Sequence, residues 1–151
     1  MTDADDNSTL AAICDSHLFK SLDDQGRLQL LAGATSESYA SGVVIVREGD
    51  PGDALYIVKR GRVEVHTTQE GQAVHLAKLG RGACFGEVAL LSGRARTATV
   101  IAEEDSVLLR FGRQHIESVL EAYPRVKQLL EAVVKGRARA TIEKLVGEPE
   151  A

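Results

Sequence analysis

The stretch that decides the fold class is Ala54–His66, which reads ALYIVKRGRVEVH. Its first five residues are apolar or aromatic, and Gly61 follows two charged residues. Beyond the glycine, Val63 and Val65 alternate with polar residues, as expected of a strand with one buried face. Two such runs on either side of a short glycine turn predict a β-hairpin.

The same pattern continues on both sides of this hairpin. A second turn signal, QEGQ, lies at Gln69–Gln72. Many short apolar runs separated by glycine turns are typical of a barrel, sandwich or jelly roll, here at about residues 37–112. The further runs are Val43–Val46, the positions Val74, Leu76 and Leu79, Thr97–Ile101, and Val107–Phe111.

Helical patterns flank the β region. On the N-terminal side, Leu10, Ile13 and Leu18 suggest a short helix after an acidic start. A second helix is predicted with Ser21 as its cap and Gly33 as its end, because serine caps helices and glycine follows them. Its apolar face is predicted to be Leu28, Leu30 and Leu31.

The C-terminal region, about residues 113–146, is also predicted to be helical. Apolar residues recur there at spacings of three and four, starting at Ile116. Pro124 would break a continuous helix or occupy the first turn of a new one. The sequence thus predicts a domain at 18–146, an acidic segment at 1–17 and a tail at 147–151.

Composition limits the classes of function. The 151 residues fit one domain, and the net charge of −4 argues against nucleic acid as the default partner. No apolar run approaches the roughly 20 residues of a membrane span, and the polar start does not resemble a signal peptide. We therefore expect a cytoplasmic protein, with Cys14 and Cys84 as reduced thiols.

The stretch that carries chemistry is Phe85–Val100, which reads FGEVALLSGRARTATV. A glycine that opens a short helical turn leaves backbone N–H groups available to an anion. Arg96 can fork onto two phosphate oxygens, and Thr97 adds a hydroxyl donor. Glu87 is an acceptor and suits a sugar hydroxyl. Together these residues predict a site for a sugar phosphate.

This stretch resembles the phosphate-binding cassette of cyclic-nucleotide-binding domains, which reads FGE and then R-[AST]-A-[ST]-V. The glycine-rich run Val46–Gly61 resembles the family's β-roll signature, and the likeness covers about Leu18 to Leu145. One departure is Ala95, where many members have proline. The resemblance implies a mainly β fold: an eight-stranded antiparallel β-roll (jelly roll) with N-terminal helices and a C-terminal helical pair.

The resemblance also implies roles for individual residues. Arg96 would bind the cyclic phosphate, and Glu87 would bind the ribose 2′-hydroxyl. Val65 and Leu76, on facing strands, are candidate walls for the base, although both also suit an ordinary core. The full ligand-binding set predicted is Phe85, Gly86, Glu87, Val88, Ala89, Arg96, Thr97, Ala98, Val65 and Leu76.

The main hypothesis is a regulatory module, not an enzyme, which binds a cyclic mononucleotide and rearranges its C-terminal helices. We favour cAMP slightly over cGMP, although in the family a hydroxyl residue at the place of Thr97 often accompanies cGMP binding. One alternative is a degenerate scaffold of the same fold that binds no nucleotide. Another is a cupin-like metal enzyme, disfavoured because the four histidines, His17, His66, His75 and His115, form no HxH or HExxH spacing.

Partners other than the nucleotide follow from the C-terminal region. Its apolar stripe could pair with a protein effector or with a second copy of the chain. Lys135, Arg137 and Arg139 form a basic patch that suits a solvated face, a partner contact or a cap over the base. Since only a few residues follow Leu145, we expect neither a helix-turn-helix module nor nucleic-acid binding by this chain itself.

Overall fold

The computed structural model describes residue 19, residues 22–86 and residues 95–145, without the side chains of 133, 134 and 137–145. The predicted helix around Leu10–Leu18, the residue Ser21 and the cassette residues 87–94 lie outside this part of the chain.

Within that part, eight strands form two antiparallel sheets of four strands each, with orders β1-β8-β3-β6 and β2-β7-β4-β5. This arrangement confirms the predicted mainly β roll with flanking helices. In chain order the elements are α1 (Asp24–Ala32), β1 (Ala34–Tyr39), β2 (Val44–Val46), β3 (Ala54–Arg60), β4 (Val63–Gln69), β5 (Gln72–Leu79), β6 (Cys84–Phe85), β7 (Thr99–Ala102), β8 (Ser106–Gly112), α2 (Arg113–Ala122) and α3 (Pro124–Leu145).

Both turns predicted from glycine are present. Gly61 joins β3 to β4 with a φ of 97°, and a Cβ at this position would collide with the hydroxyl of Ser106. Glu70 and Gly71 join β4 to β5 with φ values of 53° and 80°. Two successive positive φ values match the right-handed twist of a two-residue hairpin.

The roll has two apolar layers, which we call the inner and outer clusters. The inner cluster lies between the sheets, and the outer cluster lies between the first sheet and the helices. The buried inner residues are Ala54, Tyr56, Val58, Val63, Phe85, Val100 and Leu108. The buried outer residues are Phe19, Leu22, Leu30, Leu55, Ile57, Cys84, Leu109, Phe111, Ile116, Val119, Leu120, Val126 and Leu130.

Helix α1 corrects two predictions. Its cap is Asp23, not Ser21, because the Asp23 carboxylate accepts a hydrogen bond from the Gly26 amide at 2.8 Å. Leu28 is 63% exposed while Leu30 is fully buried. Two residues at about 100° each place these side chains on opposite sides of a helix. Gly33 ends the helix as predicted, and β1 begins directly after it at Ala34.

The C-terminal helices meet at Tyr123. Pro124 is the first residue of α3, where its missing N–H costs no helical hydrogen bond. His115 on α2 donates a hydrogen bond to the Leu30 carbonyl of α1 at 3.1 Å. Helix α3 also approaches β5 of the second sheet. Among the helices of the described residues, none is both long and apolar enough to span a membrane.

Candidate functional site

Arg96 lies at the point where β3 begins and β6 ends. Its guanidinium donates one hydrogen bond to the Ala54 carbonyl at 3.2 Å and another to the Gly86 carbonyl at 3.3 Å. The residue is only 6% exposed. Two bonds from different nitrogens fix the plane of the guanidinium, so its orientation is set by the backbone of two strands.

Two aromatic rings support this arginine. Tyr56 and Phe85 are directly paired across β3 and β6, and their rings stack with centroids 4.9 Å apart. The Cζ atom of Arg96 lies 5.8 Å from the centroid of the Tyr56 ring. At that distance the negative face of an aromatic ring attracts a cation. The inner cluster therefore holds a positive charge against its apolar residues.

Gly86 makes this arrangement sterically feasible. Its φ is 93°, in the left-handed region that favours glycine. A Cβ here would lie 2.6 Å from Arg96 Nη1 and 2.8 Å from the Ala54 carbonyl oxygen. Gly86 is the glycine that opens the predicted anion-binding turn, and any side chain at this position would displace Arg96 or the Ala54 carbonyl.

The backbone of Arg96 is fixed as firmly as its side chain. Its amide donates to the Asp50 carbonyl at 2.7 Å, and its carbonyl accepts from the Gly49 amide at 2.9 Å. Ala95 forms a β-bridge with Pro51. The loop before β3 thus pairs with the Arg96 segment almost like a strand.

Two polar residues near Arg96 were missed in the sequence. The Glu48 carboxylate accepts hydrogen bonds from the Thr67 hydroxyl and from the Thr68 amide, both at 2.9 Å. Thr67 is only 4% exposed. The sequence contains a signal for Thr67, because it is a polar residue on the face of β4 that carries Val63 and Val65. Its partner Glu48 is distant in sequence, so the sequence does not identify the pair.

Val65 and Leu76 lie on the paired strands β4 and β5 but are not directly opposite each other. Val65 is partly buried and packs against the inner cluster. Leu76 falls at an irregularity in the register, because Val65 pairs with Ala77 and His66 pairs with His75. Both residues belong to the sheet that α3 approaches. Glu87, Val88 and Ala89 lie outside the described residues.

Burial also affects the pKa of Tyr39. Tyr39, packed against the inner cluster, donates a hydrogen bond to the Glu37 carboxylate at 2.6 Å. Burial raises the pKa of Tyr39 far above its ordinary value, and the Glu37 hydrogen bond raises it further. The Tyr39 hydroxyl therefore stays a donor to Glu37 at a higher pH than an ordinary tyrosine, whose pKa is about 10.

Two histidines, on β4 and β5, contact each other. His66 lies 3.0 Å from the Glu64 carboxylate and meets His75 edge to face, with ring centroids 5.2 Å apart. In residue 19, residues 22–86 and residues 95–145, no three histidine, cysteine or acidic side chains are grouped so that they could hold a metal.

Comparison with known proteins decides the family. The model of the "Cyclic nucleotide-binding domain" family matches residues 36–123, which include the loop before β3, the stacked rings and Arg96. This chain belongs to the cyclic nucleotide-binding domain family. The family is a regulatory, ligand-binding one, and the membership confirms the resemblance drawn from the cassette.

Individual relatives span different regulatory proteins. The chain is 35% identical over 139 residues to the dog cyclic nucleotide-gated channel beta-3, covering 87% of this chain and 18% of the channel. It is 38% identical over 102 residues to the cyclic AMP receptor protein of Thermus thermophilus, covering 67% of this chain and 47% of that protein. The chain thus spans less than half of these relatives.

Among solved structures, the regulatory domain of Toxoplasma gondii PKA with cAMP superposes with a TM-score of 0.75. The two are 27% identical, and the match covers 79% of this chain and 46% of the other. A cyclic-nucleotide-binding domain from a kinase therefore shares the β-roll described here.

Proposed function

We propose that this domain binds a cyclic mononucleotide, with a slight preference for cAMP over cGMP, and signals by rearranging α2 and α3. The observation that carries the proposal is the buried Arg96, oriented by two strand-end carbonyls and supported by Tyr56. Burying a guanidinium costs free energy unless the group is well hydrogen-bonded. A positive charge held here in a fixed orientation suits an anionic ligand.

The remaining ligand contacts follow from this anchor. Phe85, Gly86, Thr97 and Ala98 adjoin Arg96 and are proposed to surround the phosphate, with Glu87, Val88 and Ala89 completing the cassette. Glu87 is proposed to accept from the ribose 2′-hydroxyl, because an ionised carboxylate is acceptor-only. Val65 and Leu76 are proposed to line the base. No metal is required for any of these contacts.

The signalling step is a shift in population between two arrangements of the C-terminal helices. Moving such an equilibrium from 1:99 to 99:1 requires about 5.5 kcal/mol of differential binding. A micromolar ligand has about 8 kcal/mol in total. The switch is therefore feasible. The rearranged helices are proposed to contact a protein effector or a second copy of the chain, and the proposed location is the cytoplasm.

The test is a side-by-side calorimetric titration with cAMP and cGMP, using Arg96→Ala as the site variant. We expect at least tenfold weaker binding by this variant, because it removes charge-assisted hydrogen bonds of about 1.5–3 kcal/mol each. The matched control is Arg62→Ala, since Arg62 is exposed and follows the opposite end of β3. We expect the control to bind like the unsubstituted chain.

Two outcomes would contradict this proposal. Equal affinity in Arg96→Ala and the unsubstituted chain would remove the phosphate role of Arg96. Absence of binding to both nucleotides at millimolar concentration would instead favour a scaffold domain that works through its helices.

A further inference from the structure

Glu48 ties together three segments that meet beside Arg96, and we call its contacts the Glu48 clasp. One carboxylate oxygen accepts from the Thr68 amide and the other from the Thr67 hydroxyl, each at 2.9 Å. The backbone amide of Glu48 donates to the Thr99 hydroxyl at 3.0 Å. The clasp therefore joins the loop before β3 to β4 and to the start of β7.

The clasp adjoins the backbone that fixes Arg96. Gly49, the next residue, donates its amide to the Arg96 carbonyl at 2.9 Å, and Asp50 accepts from the Arg96 amide at 2.7 Å. The Thr67 hydroxyl also lies 3.4 Å from the Thr97 carbonyl. Any displacement of Glu48 would thus be transmitted within one or two residues to Arg96 and Thr97.

The geometry also explains why a carboxylate suits this position. Both donors, a backbone N–H and a hydroxyl, point at Glu48 from adjacent residues of β4, and a carboxylate offers an acceptor to each. A glutamine offers one carbonyl oxygen and must turn its NH₂ toward the other donor. The Thr67 hydroxyl can rotate to accept from that NH₂, whereas the Thr68 amide cannot.

We propose that Glu48 is a positioning residue, which contacts no ligand but holds the Arg96–Thr99 segment in the shape that binds the cyclic phosphate. This inference rests on the proposed function, because the segment it positions is the proposed phosphate site. It adds a residue outside the cassette on which affinity depends.

The test combines two measurements on the full chain, for Glu48→Ala, Glu48→Gln and the control Glu117→Ala. Glu117 is an exposed residue of α2, far along the chain from the clasp. The first measurement is amide hydrogen exchange without ligand, read at Gly49 and Arg96 and compared with Val58 in the inner cluster. The second is a calorimetric titration with cAMP.

In Glu48→Ala we expect faster exchange at Gly49 and Arg96 with unchanged exchange at Val58, since the loss is local. We expect cAMP affinity to fall about five- to tenfold, as for loss of hydrogen bonds that hold a charged group in place. Glu48→Gln should fall between Glu48→Ala and the unsubstituted chain. Glu117→Ala should match the unsubstituted chain in both measurements.

A double-mutant cycle separates positioning from general destabilisation. If Glu48 acts through Arg96, then Glu48→Ala should add little loss of affinity, within about twofold, when Arg96 is already alanine. Full additivity of the two losses would overturn the positioning role. If Glu48→Ala does not fold, the same cycle with Glu48→Gln decides.

Failure of this inference and failure of the proposed function look different. If the unsubstituted chain binds cAMP but Glu48→Ala shows unchanged exchange and affinity, the clasp has no role and the proposed function stands. If the unsubstituted chain binds neither cAMP nor cGMP, the proposed function and the binding role of Glu48 are both overturned.

Discussion

At the scale of the residue, Gly86 combines two constraints that can be separated. Its positive φ disfavours any side chain, and its close approach to Arg96 Nη1 and the Ala54 carbonyl leaves no room for one. Gly42 has a similar φ of 89°, but a Cβ added there would have nothing within 4 Å. The two glycines are therefore a matched pair for one substitution.

We expect Gly86→Ala to lower the free energy of unfolding by about 1–3 kcal/mol and to weaken cAMP binding at least tenfold. The reason is that the new methyl group must push the Arg96 guanidinium away from its carbonyl acceptors. Urea denaturation and calorimetry measure the two effects. Gly42→Ala should cost stability through its φ alone and leave affinity unchanged.

A different ranking would contradict this account. If Gly42→Ala weakened cAMP binding as much as Gly86→Ala, backbone strain anywhere in the roll would explain the loss. The close contact with Arg96 would then have no special role.

The residues of the site were only partly predictable from sequence. Residues that are close along the chain could be predicted, and residues whose partners are far along the chain could not. Arg96 and Gly86 belong to one short motif, so their chemistry could be read locally. Glu48 and Thr67 are 19 residues apart, and only the fold makes them partners. The burial of Arg96 against Tyr56 likewise depends on pairing between β3 and β6.

At the scale of the element, the β4–β5 hairpin carries a residue poorly suited to its conformation. Glu70 has a φ of 53° and is the only residue other than glycine with a positive φ in the described part of the chain. Asparagine tolerates this conformation better, and Asn-Gly is the preferred pair in such turns.

We expect Glu70→Asn to raise the free energy of unfolding by about 0.5–1 kcal/mol, since it relieves the cost of a left-handed backbone. The shift in the urea midpoint measures it. Glu70→Gln removes the same charge without the preference for positive φ, so it serves as the control. Equal stabilisation by glutamine would assign the effect to charge instead of backbone conformation.

The secondary-structure elements were predicted correctly where a few neighbouring residues determine them. Gly61 and Gly71 indicated turns because glycine tolerates the positive φ that each of them adopts. The predicted cap, Ser21, was wrong although serine and aspartate both cap helices well, because the Asp23 carboxylate is the group that accepts from the Gly26 amide. Leu28 is exposed because it lies two residues, or about 200° around the helix, from the buried Leu30.

At the scale of the whole molecule, the segment 50–54 connects the candidate site to the helices. Two of its carbonyls, at Asp50 and Ala54, accept hydrogen bonds from Arg96. Two carbonyls between them accept hydrogen bonds from Arg113, the first residue of α2. The Gly52 carbonyl accepts from the Arg113 guanidinium at 2.6 Å, and the Asp53 carbonyl accepts from its amide at 3.0 Å.

This arrangement gives the proposed signal a physical route. A ligand that attracts the Arg96 guanidinium would weaken its hydrogen bond to the Ala54 carbonyl. The same short segment is hydrogen-bonded to the start of α2. Coupling of this kind needs a shared element that both ends can bias, and segment 50–54 fits that requirement. We expect Arg113 to be the contact through which the proposed signal reaches the helices.

We therefore expect Arg113→Ala to uncouple the helices from the site. Binding of cAMP to the unsubstituted chain should change amide hydrogen exchange across α2 and the first turns of α3. In Arg113→Ala that change should fall by about half or more, while affinity changes by less than about threefold, because coupling and binding are separate free energies. Hydrogen exchange with and without cAMP measures the first effect, and calorimetry measures the second.

The control is Arg125→Ala, an exposed arginine in the first turn of α3. It removes the same charge from the helical region without touching segment 50–54, so the response of α2 to cAMP should persist. If Arg113→Ala kept the full exchange response, the signal would have to reach the helices by another contact. The packing of Ile116 and Leu120 against the first sheet would then be the next route to test.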